Sequence, residues 1–270
     1  MTLQTSTHLP SDLAPRHPGA RPPGGLTWAY LRIELLRTLR NPWTVGFSTV
    51  MPAALYLLFG AAPAYGREQL AHGNVAGSIM ATMALFGAMT AAISVASTVS
   101  DERGSGWTRQ LRLTPLRPLT YVGSKLIVAL VVGLLVVAVT YAVGFATGAR
   151  LDLSAAVTTF AIAWLVGTAL FAALGIALGY IFRSDAVMGV AGPLLSLFGF
   201  FGGLFVPLKQ LGSVMETVGS VTPMFGARVL VHDAVRGAGL DSWALLNVTF
   251  WVVAFVAVAV WRFWRVGERE

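Results

Sequence analysis

Apolar and polar positions alternate along this chain on a long scale rather than a short one. After a polar leader, six stretches of about 20 or more mostly apolar residues follow one another, the length a helix needs to cross a hydrocarbon core. They run over 43–62, 77–100, 126–147, 154–182, 186–206 and 243–261. Pro52 predicts a kink in the first, and the fourth is long enough to tilt. The fourth and fifth are separated by Arg183-Ser184-Asp185 alone, which predicts a tight hairpin. Ahead of them, Thr27 to Asn41 places Trp28, Leu31, Leu35 and Leu39 on one helical face and Arg37 and Arg40 on another, with Arg32 near the apolar side. That pattern predicts a helix lying in the membrane interface, ended by Asn41-Pro42. Residues 1–26 carry Pro, Gly, Ser and Thr without an apolar core and read as a disordered tail, and residues 266–270 read as a second tail.

Composition agrees with the pattern. The chain is 56% hydrophobic and 11% charged, against roughly 25% charged in a soluble domain. The expected fold class is therefore an all-α polytopic membrane protein with six transmembrane helices. It has no cysteine, so disulfides and thiolate metal sites are excluded. A net charge of +7 raises the question of nucleic acid, but the basic residues flank apolar spans, as they do when they set orientation. With the N-terminus inside, Arg67, Arg150, Lys209, Arg228 and Arg236 fall outside and the other 14 of the 19 Lys and Arg fall inside. Both termini are then cytoplasmic, the expected location is the cell membrane, and no nucleic-acid partner is expected. Trp28, Trp43, Trp243, Trp261 and Trp264 sit at span ends like an aromatic belt. The outer loop 207–242 is apolar enough to hold one or two short helices that dip into the outer leaflet or cap the bundle.

The spans drawn this way hold no Asp, Glu, Lys, Arg or His, which counts against an ion-coupled carrier. No catalytic constellation, metal spacing or phosphate-binding GxxxxGK[ST] loop is present, so the chain is expected not to be an enzyme and to hold no cofactor. His232-Asp233 is an adjacent pair that reads best as part of a solvated outer helix. Energy for any active transport must come from another chain. Small residues line the fifth span at Gly192, Ser196, Gly199 and Gly203, and GxxxG pairs occur at Gly144–Gly148, Gly175–Gly179 and Gly199–Gly203. The second span carries Thr90, Ser94, Ser97 and Thr98 on one face. Two readings fit those hydroxyls: a mildly polar pathway lining, or bonds back to their own helix. Phe198, Phe200, Phe201 and Phe205 and the uncharged spans favour an apolar or amphipathic substrate.

The charge anomaly is Asp101–Lys125, a basic polar segment between two apolar runs. Asp101 and Glu102 precede a short helical pattern over 106–113, with Trp107 and Leu111 four apart on one face and Thr114-Pro115 as a stop. Exposed Trp and Leu on so short a helix fit a partner's groove or an anionic lipid surface. The order Glu102-Arg103, Gly106, Leu111, Thr114-Pro115, Gly123, Lys125 resembles the cytoplasmic loop of ABC-2 type permeases, the membrane subunits of one class of ABC exporters. GGLFVPL (202–208) and TPMFGARVLVHDAVRG (222–237) are similar to that family's end of helix five and its outer segment. The likeness covers about 27–265, and it departs at Trp107, where the family commonly has Thr. It implies that Glu102, Arg103, Gly106, Trp107, Leu111 and Pro115 form a coupling helix that docks into a separate ABC ATP-binding subunit, which would hold ATP and Mg. Glu102 and Arg103 would pair with the ATPase or brace the end of helix two. It also implies a second permease copy, as a homodimer or with a sister permease, and a substrate path along helices two and five (Thr90, Ser94, Ser97, Gly192, Ser196, Gly199 and Gly203). The substrate class would be a drug, antibiotic or lipid. The alternatives are a membrane accessory, immunity or sensor subunit without a pathway and, after it, a secondary transporter.

Overall fold

A computed structural model of the chain describes residues 28–106, 118–205, 208, 212–239 and 241–267, and within these it is almost entirely helical. In order, α1 is Trp28–Leu39, α2 Pro42–Tyr56, α3 Val75–Gly104, α4 Pro118–Ala146, α5 Leu153–Ala161, α6 Thr168–Ile181, α7 Ser184–Phe201, α8 Ser213–Ser220, α9 Pro223–Arg236 and α10 Ser242–Gly267. The disordered tail expected over 1–26 lies outside the described residues. α10 continues to Gly267, into the residues expected as a C-terminal tail.

Among the described residues five stretches are long and apolar enough to cross a membrane: Thr44–Ala61, Val75–Gly104, Thr120–Ala146, Leu153–Ile181 and Ser242–Arg262. The remaining expected span, the fifth in the chain, is α7, whose apolar part among the described residues is Gly189–Phe201. It stops early because Gly203 takes φ +75°, a left-handed conformation that turns the chain out of the helix. Two spans widen into π-helical turns, Leu57–Ala61 after α2 and Ile162–Gly167 between α5 and α6. Pro52 lies inside α2, which remains helical through it.

The architecture is organised around α3. Its sequence is rich in Ala, Gly, Ser and Met all the way round, which is the mark of a helix buried on every side. Between Ala76 and Ser100 only Ile79, Phe86, Ser94 and Thr98 keep partial exposure. α4 and α6 pack along its length, with α2, α7 and the π segment completing the ring, while α10 packs on α6. The outward rows of α2 (Phe47, Val50, Leu58) and α10 (Leu246, Phe250, Val253) are exposed. In water such rows would be a liability, whereas hydrocarbon needs no further cover for them.

Small residues set the distance between α3 and α6. A Cβ on Gly175 would sit 2.8 Å from the Ala96 Cβ and 3.1 Å from the Ile93 Cα, and one on Gly179 would sit 3.0 Å from the Val99 Cβ. Of the three GxxxG matches, this pair therefore serves close helix approach. Gly199 instead faces the Phe205 ring, and Gly203 and Gly148 hold turns at positive φ.

The end of the bundle around 63–76 is laced by backbone bonds. A two-residue hairpin pairs Gln69–Leu70 with Gly73–Asn74. Asn74 caps α3 by accepting from the Gly77 amide (2.8 Å), accepts from the Arg150 amide (2.9 Å) and donates to the Gly148 carbonyl (3.0 Å). The loop 207–242, expected to hold short helices, contains α8 and α9 among its described residues. α9 starts with Pro223 at its first turn and ends at Gly237 in the left-handed conformation. Its Met224, Ala227 and Val231 are fully buried, so it belongs to the bundle. Replacing Gly175 by Val forces α6 away from backbone that cannot give. The expected cost is about 1–3 kcal/mol, read as a lower unfolding midpoint in neutral detergent, with Gly46→Val, at an open position, as the unaffected control.

Candidate functional site

At the opposite end of α3, three helices meet over a cluster of ionisable side chains. α1 contributes Glu34 and Arg37, the last turn of α3 contributes Glu102, and the first turns of α4 contribute Tyr121 and Lys125. Lys125 has no solvent exposure, and Glu34 and Glu102 retain 5% and 4%. The Lys125 ammonium donates to Glu102 Oε1 (2.6 Å), to Glu34 Oε1 and to Thr98 Oγ1 (3.2 Å). Arg37 donates to Glu34 Oε1 (3.1 Å) and to Glu102 Oε1. The Tyr121 hydroxyl donates to Glu102 Oε2. Two carboxylates thus face two cations and the formal charge cancels, which is what makes so deep a burial tolerable.

The local sequence explains the placement. Leu31, Glu34, Leu35 and Thr38 fall at i, i+3, i+4 and i+7 and form the packed face of α1, whereas Trp28 and Leu39 are exposed. The apolar face expected from Trp28, Leu31, Leu35 and Leu39 is therefore rotated, because Glu34 gains two cations by turning inward. In α4, Tyr121, Lys125, Val128, Ala129 and Val132 share a buried face. Arg37 is half exposed. Burial lowers its pKa, but the hydrogen bond and attraction from Glu102 and Glu34 outweigh that and raise it.

The spans are not free of charge, contrary to the sequence-based expectation. α3 runs on through Asp101, Glu102 and Arg103 to Gly104, and α4 begins before Lys125. Pairing across helices keeps these residues helical. The exclusion of an ion-coupled carrier no longer follows from uncharged spans.

Arg103 turns to the other side of α3. It donates to the Gly179 carbonyl (2.8 Å) and lies over the Tyr180 ring at 5.4 Å. α3 closes with the Ser105 amide bonded to the Asp101 carbonyl (2.9 Å), and Gly106 takes φ +76° with open space around it. A glycine there is required by the backbone and not by crowding. Trp107, Leu111 and Pro115, with the helix expected over 106–113, lie outside the described residues from 107 onward. A recess of about 370 Å³ opens beside the cluster between Arg37, Asn41, Thr44 and Asp101.

The residues expected along a path differ in exposure. Thr90 and Ser97 are buried, and their hydroxyls donate to the Phe86 carbonyl (2.9 Å) and the Ser94 carbonyl (3.1 Å) of their own helix. Thr98 likewise donates to Val95 (2.7 Å), and Ser94 is half-buried. Gly192 and Ser196 on α7 are exposed, while Gly199 and Gly203 are buried. Glu34 was legible only as the carboxylate at helical spacing from Leu31, Leu35 and Thr38, and the sequence analysis did not single it out.

An α-helical chain with several membrane-length spans, one buried central helix and a charge-neutral lock at its end is a multi-pass membrane protein. It belongs to the ABC-2 family, since the family model described as "ABC-2 family transporter protein" matches residues 66–265. The chain is also similar to the "Putative transport permease YvfS" of Bacillus subtilis (strain 168), 27% identical over 218 residues that cover 78% of this chain and 85% of that one.

Removing one partner of the lock should be costly. Lys125→Met leaves Glu102 and Glu34 buried with only Arg37 between them, and breaking a buried pair costs about 3–5 kcal/mol. Thermal unfolding of the purified protein should fall accordingly, and E102Q/K125M should recover part of the loss. A K125M midpoint equal to wild type would show that the pair carries no structural load.

Proposed function

We propose that this chain is the transmembrane permease subunit of an ATP-driven exporter that moves an apolar or amphipathic substrate out of the cell. It crosses the membrane six times with both termini in the cytoplasm, α7 being the fifth span. The observation that carries this reading is the junction of α1, α3 and α4. The ion-paired cluster fastens the interfacial helix to both flanks of residues 107–117, the segment that resembles a coupling helix. A push on that segment from a separate ATP-binding subunit would then reach α1, α3 and α4 together.

Roles divide within the segment. Trp107 and Leu111 are the proposed docking side chains, with Pro115 ending their helix and Gly106 setting its direction. Glu102 and Arg103 brace the end of α3, Glu102 through Lys125 and Arg103 through its Nη1 bond to the Gly179 carbonyl. ATP and Mg would be held by the partner subunit, and the chain itself catalyses nothing. A second permease copy, identical or a sister, would meet α7 at its exposed Gly192 and Ser196 side and complete the path with α3.

The test is co-expression and copurification with a candidate ABC ATP-binding subunit, followed by W107A/L111A. Each docking side chain acts as an interface anchor, so the double variant should lose about tenfold or more in assembly and in coupled ATP hydrolysis. A double variant that assembles and hydrolyses ATP like wild type would rule out docking through this segment.

A further inference from the structure

At the far end of α3 from the ion-paired cluster lies a cavity of about 510 Å³ whose two walls differ in chemistry. One wall is apolar with two hydroxyls: Phe59, Ile79, Met83 and Phe205, with Ser78 and Thr82 between them. The other is a single face of α9 bearing Arg228, His232 and Arg236. These three are spaced four residues apart, so each stands about 6 Å beyond the last along the helix axis.

The basic wall is not compensated. Among the described residues no Asp or Glu lines the cavity. The Arg228 Nε and the His232 Nδ1 are buried without a hydrogen-bond partner. Burial pushes the Arg228 guanidinium below its usual range, and Arg236 adds to the shift against a smaller pull from Asp233. Burial, with Arg228 and Arg236 nearby, pushes His232 down to about 4. Asp233 is held above the usual carboxylate range by burial and by Asp241. The contrast with the other end of α3 is direct. There two carboxylates answer two cations, and here two guanidiniums share a cavity wall with no carboxylate. Buried donors left unpaired are costly, and a cavity of this size with an apolar wall and convergent donors has the form of a ligand site.

We propose that this cavity binds an amphipathic anion, with a phosphate or sulfonate head between Arg228, His232 and Arg236 and an apolar body along α3. A neutral His232 offers one ring N–H to the head, while the arginines offer forked donors suited to such oxygens. Phe59, Ile79, Met83 and Phe205 would cover the apolar body. The proposal concerns binding alone and stands whether or not the chain is driven by an ATPase.

The test uses the full chain in neutral detergent, with decyl phosphate as probe and decyltrimethylammonium as its cationic match, followed by calorimetry and thermal shift. Decyl phosphate should bind saturably and raise the unfolding midpoint, and the cation should do neither. R228Q and R236Q should each weaken decyl phosphate by about tenfold, the scale of one charge-assisted hydrogen bond. R150Q, at a cation outside this cavity, should leave it unchanged. Unliganded R228Q should unfold at or above the wild-type midpoint, because it removes an uncompensated buried charge. Arg236 is exposed, so R236Q supplies the same comparison without disturbing the core. Phosphatidylglycerol in mixed micelles separates two sources of the anion. Displacement of decyl phosphate assigns the site to a bilayer lipid, lack of displacement assigns it to a non-lipid amphiphile, and both support the anion site. Equal binding of the cation, or unchanged decyl phosphate affinity in R228Q and R236Q, would overturn it.

Discussion

The Lys125 ammonium sits at a point with no solvent exposure, held by carboxylates from two other helices. A buried charge is tolerated only when its partners are in place, so each of α1, α3 and α4 depends on the other two. α3 cannot end before Glu102, α4 cannot begin after Tyr121, and α1 must turn Glu34 inward. The same bonds hold fixed the two points from which residues 107–117 leave and return. Arg103 extends the anchorage to α6 through the Gly179 carbonyl, one turn beyond the close α3–α6 approach at Gly175.

Much of the fold was legible because hydrocarbon imposes one strong rule, long apolar helices. Five of the six expected spans reappear at membrane length, and the resemblance to ABC-2 permeases agrees with the family match. The short helices of the outer loop were legible from Thr222-Pro223 and Gly237. What escaped was three-dimensional. Lys125 and Glu102 read as ends of a polar loop, since sequence spacing does not reveal that partners 23 and 91 residues away neutralise the lysine. His232 read as a solvated helix residue, yet its ring is largely buried against Arg228 and Arg236 because α9 folds into the bundle. The face of α1 was misjudged by a rotation about its axis for the same reason: periodicity counts Glu34 as polar, and pairing makes it an inward residue.

The two ends of α3 show how one buried helix separates two kinds of polar site. At the Glu102 end charges balance within the chain, which suits a rigid joint. At the Val75 end the described lining of the cavity sets basic groups beside an apolar wall with no carboxylate among them, which suits a ligand. The middle of α3 carries only hydroxyls bonded to its own carbonyls, so it adds packing without a third polar site.

The central claim is that the cluster makes α1 and the flanks of residues 107–117 one mechanical body. The chain has no cysteine, so spin labels can be placed at will. Labels on Arg32→Cys and Ser105→Cys, both at exposed positions, report the separation of α1 from the end of α3 by pulsed electron spin resonance. A single narrow distance that stays the same with and without ATP in the assembled complex is the expected result. A distance that broadens or shifts when ATP is added would contradict the claim, because α1 would then be moving independently of the segment it is tied to.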